Sequence, residues 1–137
     1  MKSYVLKLFV VIPFLFISCS EKNINNPDEV YELWLGEKPL ENINPINGNY
    51  WQSAHFTNEY ILFLEVEAHK KFWEVFVKEH NLIVDTLDNS FLISDKPDWF
   101  HPPKNTIKYK INDSFDQGSR YFQDTINDKI YIYEIQL

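Results

Sequence analysis

Six side chains in this sequence are candidates for acid–base or metal chemistry near neutral pH. They are four histidines and two glutamates: His55, His69, His80, His101, Glu65 and Glu67. The two glutamates are two positions apart, so on a strand they share one face and could act as a carboxylate pair of the kind that glycosidases use. The alternative, which we favour, is that both belong to the solvated rim of a sheet edge.

The spacing of these residues does not indicate a metal or catalytic site. On a helix His69 and His80 would lie three turns apart, about 16 Å along the axis, which is too far to share one ion. Metalloprotease, calcium-loop, phosphate-loop and dinucleotide motifs are missing from the sequence, and so is a Gly-x-Ser-x-Gly nucleophile motif. We therefore predict no metal, no cofactor and no enzymatic activity.

The single cysteine, Cys19, closes an N-terminal segment with a pattern of its own. Lys2 and Lys7 form a short basic region, residues 8–17 are almost entirely apolar, and Ser18 is a small residue directly before the cysteine. This order is typical of a secretory signal. The apolar run is shorter than the roughly 20 residues that a membrane-spanning helix needs.

The end of this segment, residues 16–19 with the sequence Phe-Ile-Ser-Cys, resembles the lipobox of bacterial lipoproteins. The resemblance implies that residues 1–18 are a signal peptide that is removed, and that Cys19 is acylated, with palmitate among its chains. Several acyl chains would hold the protein stably in the cell envelope. The residue directly after the cysteine is Ser20 and not Asp, which in enterobacteria-like lipoproteins would indicate the outer membrane. The alternative is an ordinary signal peptide that happens to end near a cysteine.

The mature chain is strongly acidic. Two of the 13 basic side chains lie in the signal, so 11 remain against 20 acidic ones, and the formal charge changes from −7 to about −9. Nucleic acid and anionic lipid headgroups are not expected partners, because phosphate contacts need clustered Lys and Arg. A basic protein or a cationic ligand fits this charge. Once Cys19 is acylated no thiol is left, so the fold must be stabilised without disulfides.

Local patterns in the first half of the mature chain predict a tether, a short helix and a stretch of turns. Residues 19–26 lack an apolar pattern, which indicates a lipidated cysteine followed by a flexible tether. Asn26 and Pro27 are typical of a helix start, and Gly36 is typical of a helix end. Residues 37–50 contain prolines and an Asn-Gly pair, and they are predicted to form turns.

The rest of the chain predicts one main helix and several strands. Residues 60–67 alternate as a strand does, with one face wholly apolar, and residues 68–80 repeat apolar side chains at helical spacing. Further strands are predicted at residues 82–87 and 106–111, followed by a hairpin with a four-residue loop at 125–128. Residues 27–137 are thus expected to form a single α+β domain. In it one main amphipathic helix and a possible short N-terminal helix pack on a largely antiparallel sheet of four or five strands.

The most unusual stretch is residues 95–104, in which prolines lie on both sides of Trp99, Phe100 and His101. Proline fixes its own backbone and pushes the preceding residue into an extended conformation. These three residues are therefore a candidate binding surface, because a rigid loop loses little entropy on docking. The alternative is that Trp99 and Phe100 fold back and close one end of the core, as a small sheet often requires.

Two functional hypotheses follow. The first is a non-enzymatic envelope lipoprotein whose acidic, aromatic-rich domain binds another protein, with an immunity-type or inhibitory role against a lytic enzyme as one version. The second is a small envelope hydrolase or ligand carrier that uses Glu65, Glu67, His69 or His101. A cleft that holds one of these carboxylates beside a histidine would favour the second hypothesis, and a flat, filled sheet face would argue against it.

Overall fold

The computed structural model describes residues 20–87, 93 and 95–137, so the predicted signal peptide and Cys19 lie outside the described residues. The elements in chain order are β1 (Lys22–Ile24), α1 (Pro27–Leu35), β2 (Ile43–Gln52), β3 (Tyr60–Ala68), α2 (Lys70–Glu79), β4 (Leu82–Val84), β5 (Ile107–Ile111), β6 (Arg120–Asp124) and β7 (Lys129–Gln136). The strands form one sheet in the order β1-β2-β3-β7-β6-β5-β4, and every pairing is antiparallel. The predicted α+β class is confirmed, with seven strands in the described part of the chain instead of four or five.

The two helices begin where the sequence predicts. At the start of α1 the side chain of Asn26 accepts hydrogen bonds from the amides of Asp28 and Glu29, at 3.0 and 3.1 Å. Gly36 ends this helix with a φ of 76°, a left-handed conformation that glycine adopts without a steric penalty. Helix α2, predicted within residues 68–80, buries Trp73 and Phe76. The strand predicted over residues 60–67 is confirmed as β3. The predicted final hairpin is confirmed as the pair of strands β6 and β7.

Strand β3 separates two apolar clusters. Leu62 and Leu64 point toward α1 and α2 and belong to the larger cluster. Phe63 points to the opposite face, where it belongs to a smaller cluster together with Phe100 from the loop of residues 95–106. The helices therefore cover one face of the sheet, and this loop contributes to the cover of the other face.

The prediction of turns over residues 37–50 is wrong for residues 43–50, because residues 43–52 form the strand β2, whereas residues 37–42 form neither helix nor strand. Its register with β3 is irregular between Pro45 and Asn47, and a proline is tolerated at such an irregularity or where a strand has no second neighbour. Strand β1 pairs only with residues 50–52, so the part of β2 around Pro45 has a neighbour on the β3 side alone. The turn-forming residues thus lie in a strand whose geometry accommodates them.

Part of the predicted flexible tether is also ordered. Residues 22–24 form β1, which pairs with the last three residues of β2. The indole nitrogen of Trp51 donates a hydrogen bond to the carboxylate of Glu21, just before β1. This short, mainly polar strand is stabilised by its pairing with β2. Its own sequence has no alternation of apolar residues that could have indicated a strand. The ordered backbone therefore begins well before Pro27.

The contact between α1 and β2 at Gly48 gives a testable prediction. A methyl group on Gly48 would lie 2.9 Å from Cα of Pro27 and 2.9 Å from Cβ of Val30, closer than real contacts of this kind. We expect Gly48→Ala to lower the free energy of unfolding by about 1–3 kcal/mol, the usual cost of overpacking. The measurement is urea unfolding of a form that begins at Ser20.

Asn44→Ala is the matched control, because Asn44 is exposed on the same strand. Its effect should stay below about 0.5 kcal/mol. Equal stabilities of the two variants would contradict the close approach of α1 to β2.

Candidate functional site

The structure separates the four histidines, all of which are exposed. His69 and His80 cap opposite ends of α2, His55 lies in the loop between β2 and β3, and His101 lies in the loop before β5. Within the described ranges, no three His, Cys, Asp or Glu side chains come close enough to hold a metal ion. The histidines therefore do not build one shared site.

The two glutamates of β3 lie in different environments. Glu65 is buried, and its carboxylate accepts hydrogen bonds from Nζ of Lys129 and from Nδ2 of Asn47, each at 2.8 Å. Glu67 is exposed. The interpretation of both as a solvated rim is thus wrong for Glu65, because the neighbouring strand β7 supplies a cation that compensates its burial. The hydrogen bond to Glu65 in turn raises the pKa of Lys129.

Of the three predicted surface residues, Phe100 lies in the core. Its side chain is 0% exposed, and its ring centroid lies 5.0 Å from that of Phe63 and 6.1 Å from that of Tyr131. Trp99 is half-buried and meets Phe100 edge to face at 5.8 Å, whereas His101 is exposed. The alternative that both rings fold back is thus met fully by Phe100 and in part by Trp99, which packs against the same cluster. The candidate surface is reduced to His101 and the exposed part of Trp99.

Hydrogen bonds within the loop of residues 95–106 fix its backbone. The amide of Phe100 donates to the carbonyl of Pro97 at 2.9 Å. Further along, the hydroxyl and the amide of Thr106 both donate to the carbonyl of Pro103, at 2.9 and 3.2 Å. With Phe100 anchored in the core, these bonds hold Trp99 and His101 in a defined position.

A cleft of about 740 Å³ lies between this loop and the strands β5 and β6. Pro103 and Phe122 form part of its apolar wall, with the buried Phe100 behind them. Among the described residues, the charged ones that line it are Asp85, Lys96, Lys104 and Lys108. The cleft is thus locally basic on a chain that is acidic as a whole.

Asp85 is the centre of a group of charged side chains at this cleft. Its Oδ2 lies 3.0 Å from Nε of Arg120 and 3.5 Å from Nζ of Lys108, and Arg120 also contacts Asp116 at 2.7 Å. Burial alone would raise the pKa of Asp85, but the hydrogen bond from the Leu87 amide and the two cations lower it. These contacts connect the chain after β4 to β6, which indicates a structural role.

A second cleft, of about 370 Å³, is lined by Glu134 of β7 and by His80. The Glu134 carboxylate accepts hydrogen bonds from Tyr121 at 2.7 Å, from the Trp34 indole at 2.9 Å and from Tyr60 at 3.3 Å. Burial, followed by the charge of Glu134, raises the pKa of the Tyr60 hydroxyl to about 12. The same two causes raise the pKa of Tyr121. At neutral pH both hydroxyls are therefore protonated donors.

The Glu134 network was missed in the sequence because its members are far apart along the chain. Trp34 and Glu134 are separated by 100 positions. The available signal was Glu134 itself, which continues the strand face of Ile130 and Ile132, two buried residues. A charged residue on an otherwise buried face indicates partners that come from elsewhere in the chain.

Comparisons with protein-family models, with curated proteins and with solved structures found no match for this chain. Across the described part of the chain, no helix has the length and apolar character needed to cross a membrane.

The Glu134 network gives the second testable prediction. Glu134→Ala should lower the free energy of unfolding by about 2–4 kcal/mol, because the buried Tyr121 hydroxyl and the Trp34 indole lose their acceptor. Urea unfolding at pH 7 measures this. Glu67→Ala, which removes an exposed glutamate, serves as the control and should change stability by less than about 0.5 kcal/mol. A Glu134→Ala protein as stable as this control would show that the network does not stabilise the fold.

Proposed function

We propose that this chain is a bacterial lipoprotein, anchored in the cell envelope through acyl chains on Cys19, whose domain binds another protein and catalyses no reaction. The anchor is supported by the lipobox-like residues 16–19 and by the use of the only cysteine at that position. The observation that carries the binding role is the fixed loop of residues 95–106. Phe100 holds it to the core, so Trp99 and His101 are presented with little conformational entropy left to lose.

The buried charged groups support a function without catalysis. Glu65 is paired with Lys129, and Asp85 is paired with Arg120. Asp124 accepts hydrogen bonds from the turn between β6 and β7, including one from the amide of Ile126 at 2.9 Å. Each of these carboxylates already has partners that hold the fold together, whereas a catalytic acid or base needs a free position for substrate.

The charge of the domain favours a basic partner. Around Trp99 the charge is balanced, with Asp95 and Asp98 against Lys96 and Lys104, so the excess of acidic groups lies elsewhere on the surface. Such an arrangement attracts a basic protein over a distance and leaves the contact itself to the aromatic loop. A basic lytic enzyme that this domain inhibits is one partner of that kind.

The Glu134 cleft favours a ligand carrier as a second candidate function. It brings the Glu134 carboxylate and His80 into one cavity. Neither residue is among Glu65, Glu67, His69 and His101, which the sequence analysis named for a hydrolase or carrier. Three donors already occupy the Glu134 oxygens, which leaves little capacity for a ligand. We therefore place this candidate second.

One experiment tests the anchor and the binding loop separately. The full chain is produced in a bacterium that processes lipoproteins, and Cys19→Ser should abolish the lipid mass on the mature N-terminus, measured by mass spectrometry. Trp99→Ala should retain that mass and bind an envelope partner from the native organism about tenfold more weakly or worse, because aromatic anchors dominate such contacts.

Val75→Ala is the matched control for the loop, since Val75 is an exposed apolar residue on α2, which covers the opposite face of the sheet. It should retain both the lipid and the partner. A folded Trp99→Ala protein that binds the partner as tightly as the native protein would contradict the proposed binding role of the loop. A mature chain without lipid contradicts the anchor.

A further inference from the structure

The chain enters the sheet at one end, which we call the proximal end. Lys22, the first residue of β1, is opposite Gln52, the last residue of β2, so the entry lies beside the loop of residues 53–59. The loop of residues 112–119, between β5 and β6, lies at the same end because all pairings across the sheet are antiparallel. The proximal end therefore includes the chain entry and these two loops, together with the turn before β4 and the end of β7.

Two phenylalanines project from the proximal end. Phe56, in the loop of residues 53–59, is 93% exposed, and Phe115, in the loop of residues 112–119, is 84% exposed. The midpoints of the two loops are three strand spacings apart, roughly 14 Å along the sheet edge. Scattered exposed apolar residues need no explanation, and these two rings are too far apart to form one continuous patch. Both nevertheless lie at the end of the sheet where the chain enters.

The segment between Cys19 and the sheet is short. Ser20 and Glu21 alone separate Cys19 from β1, and Glu21 is held by the indole of Trp51. Even fully extended, the chain from Cys19 to Lys22 spans only about 11 Å. The headgroup layer of one leaflet is itself roughly 5–8 Å thick, so acyl chains on Cys19 would hold the proximal end against the membrane surface.

We propose that the proximal end rests on the bilayer and that Phe56 and Phe115 enter its interfacial region beside the acyl chains of Cys19. This inference rests on the proposed lipid anchor. Phe is among the side chains that occupy the boundary between headgroups and acyl chains, and burying both rings there removes apolar surface from water. Because the mature chain is acidic, this contact is apolar and does not depend on anionic lipids.

This orientation directs the proposed binding loop away from the membrane. The chain leaves β4 and enters β5 at the end of the sheet opposite to the proximal end. There, Nδ2 of Asn105 donates to Oδ1 of Asp124 at 3.2 Å, beside the turn between β6 and β7. The loop of residues 95–106 is therefore attached at the end that faces the periplasm or the medium.

Spin labels on introduced cysteines test this orientation in the full acylated protein. Acylation consumes the thiol of Cys19, so Phe56→Cys and Phe115→Cys each supply the one free thiol of the chain. Ile126→Cys is the matched control, because Ile126 is 74% exposed in the turn at the opposite end. The labelled proteins are placed in phosphatidylcholine vesicles, and the accessibility of each label to oxygen and to a water-soluble nickel complex is measured.

We expect the ratio of oxygen to nickel accessibility to be several-fold higher at positions 56 and 115 than at position 126. Equal ratios at the three positions, in protein that floats with the vesicles and carries lipid, would overturn the orientation and leave the anchor intact. Labels at 56 and 115 that are shielded from both reagents would also overturn it, because they would indicate a protein contact. Protein without lipid that fails to float would overturn the anchor and this inference together.

Discussion

Strand β3 carries apolar side chains toward both faces of the sheet, so the fold has to keep both faces from water. Helices α1 and α2 cover Leu62 and Leu64, and Phe100 from the loop of residues 95–106 packs on Phe63. A loop can cover a sheet face in this way only if its backbone is fixed. In this loop the prolines and the internal hydrogen bonds fix the backbone. The stiffness that the core requires is also the property on which the proposed binding role of this loop rests.

The face of the sheet that carries Phe63 also contains buried charged residues, which form ion pairs. Glu65 follows Phe63 on the same face of β3 and is neutralised by Lys129 from β7. Toward the other edge of the sheet, Asp85 and Arg120 form a comparable pair. Removing one partner of such a pair leaves an uncompensated charge, so these groups are tied to the fold.

The elements that the sequence predicted correctly are those with a local pattern, such as α1 with its Asn26 cap and Gly36 end, β3 with its alternation, and the final hairpin. Strand β2 could not be predicted, because Pro45 and Gly48 are typical of turns and only tertiary neighbours explain them: an irregular pairing at Pro45, and α1 lying directly over Gly48. The partners of Glu134 come from three other elements, α1, β3 and β6, and no local pattern encodes such a convergence. The lid position of Phe100 was one of two alternatives that the sequence left open.

The most direct test of this fold is the stability of Phe100→Ala, measured by urea unfolding at pH 7 beside His101→Ala. We expect Phe100→Ala to lower the free energy of unfolding by about 3–5 kcal/mol, as the loss of a fully buried ring does. The exposed neighbour His101 should contribute less than about 0.5 kcal/mol. A Phe100→Ala protein as stable as His101→Ala would contradict the claim that this one side chain fixes the loop to the core.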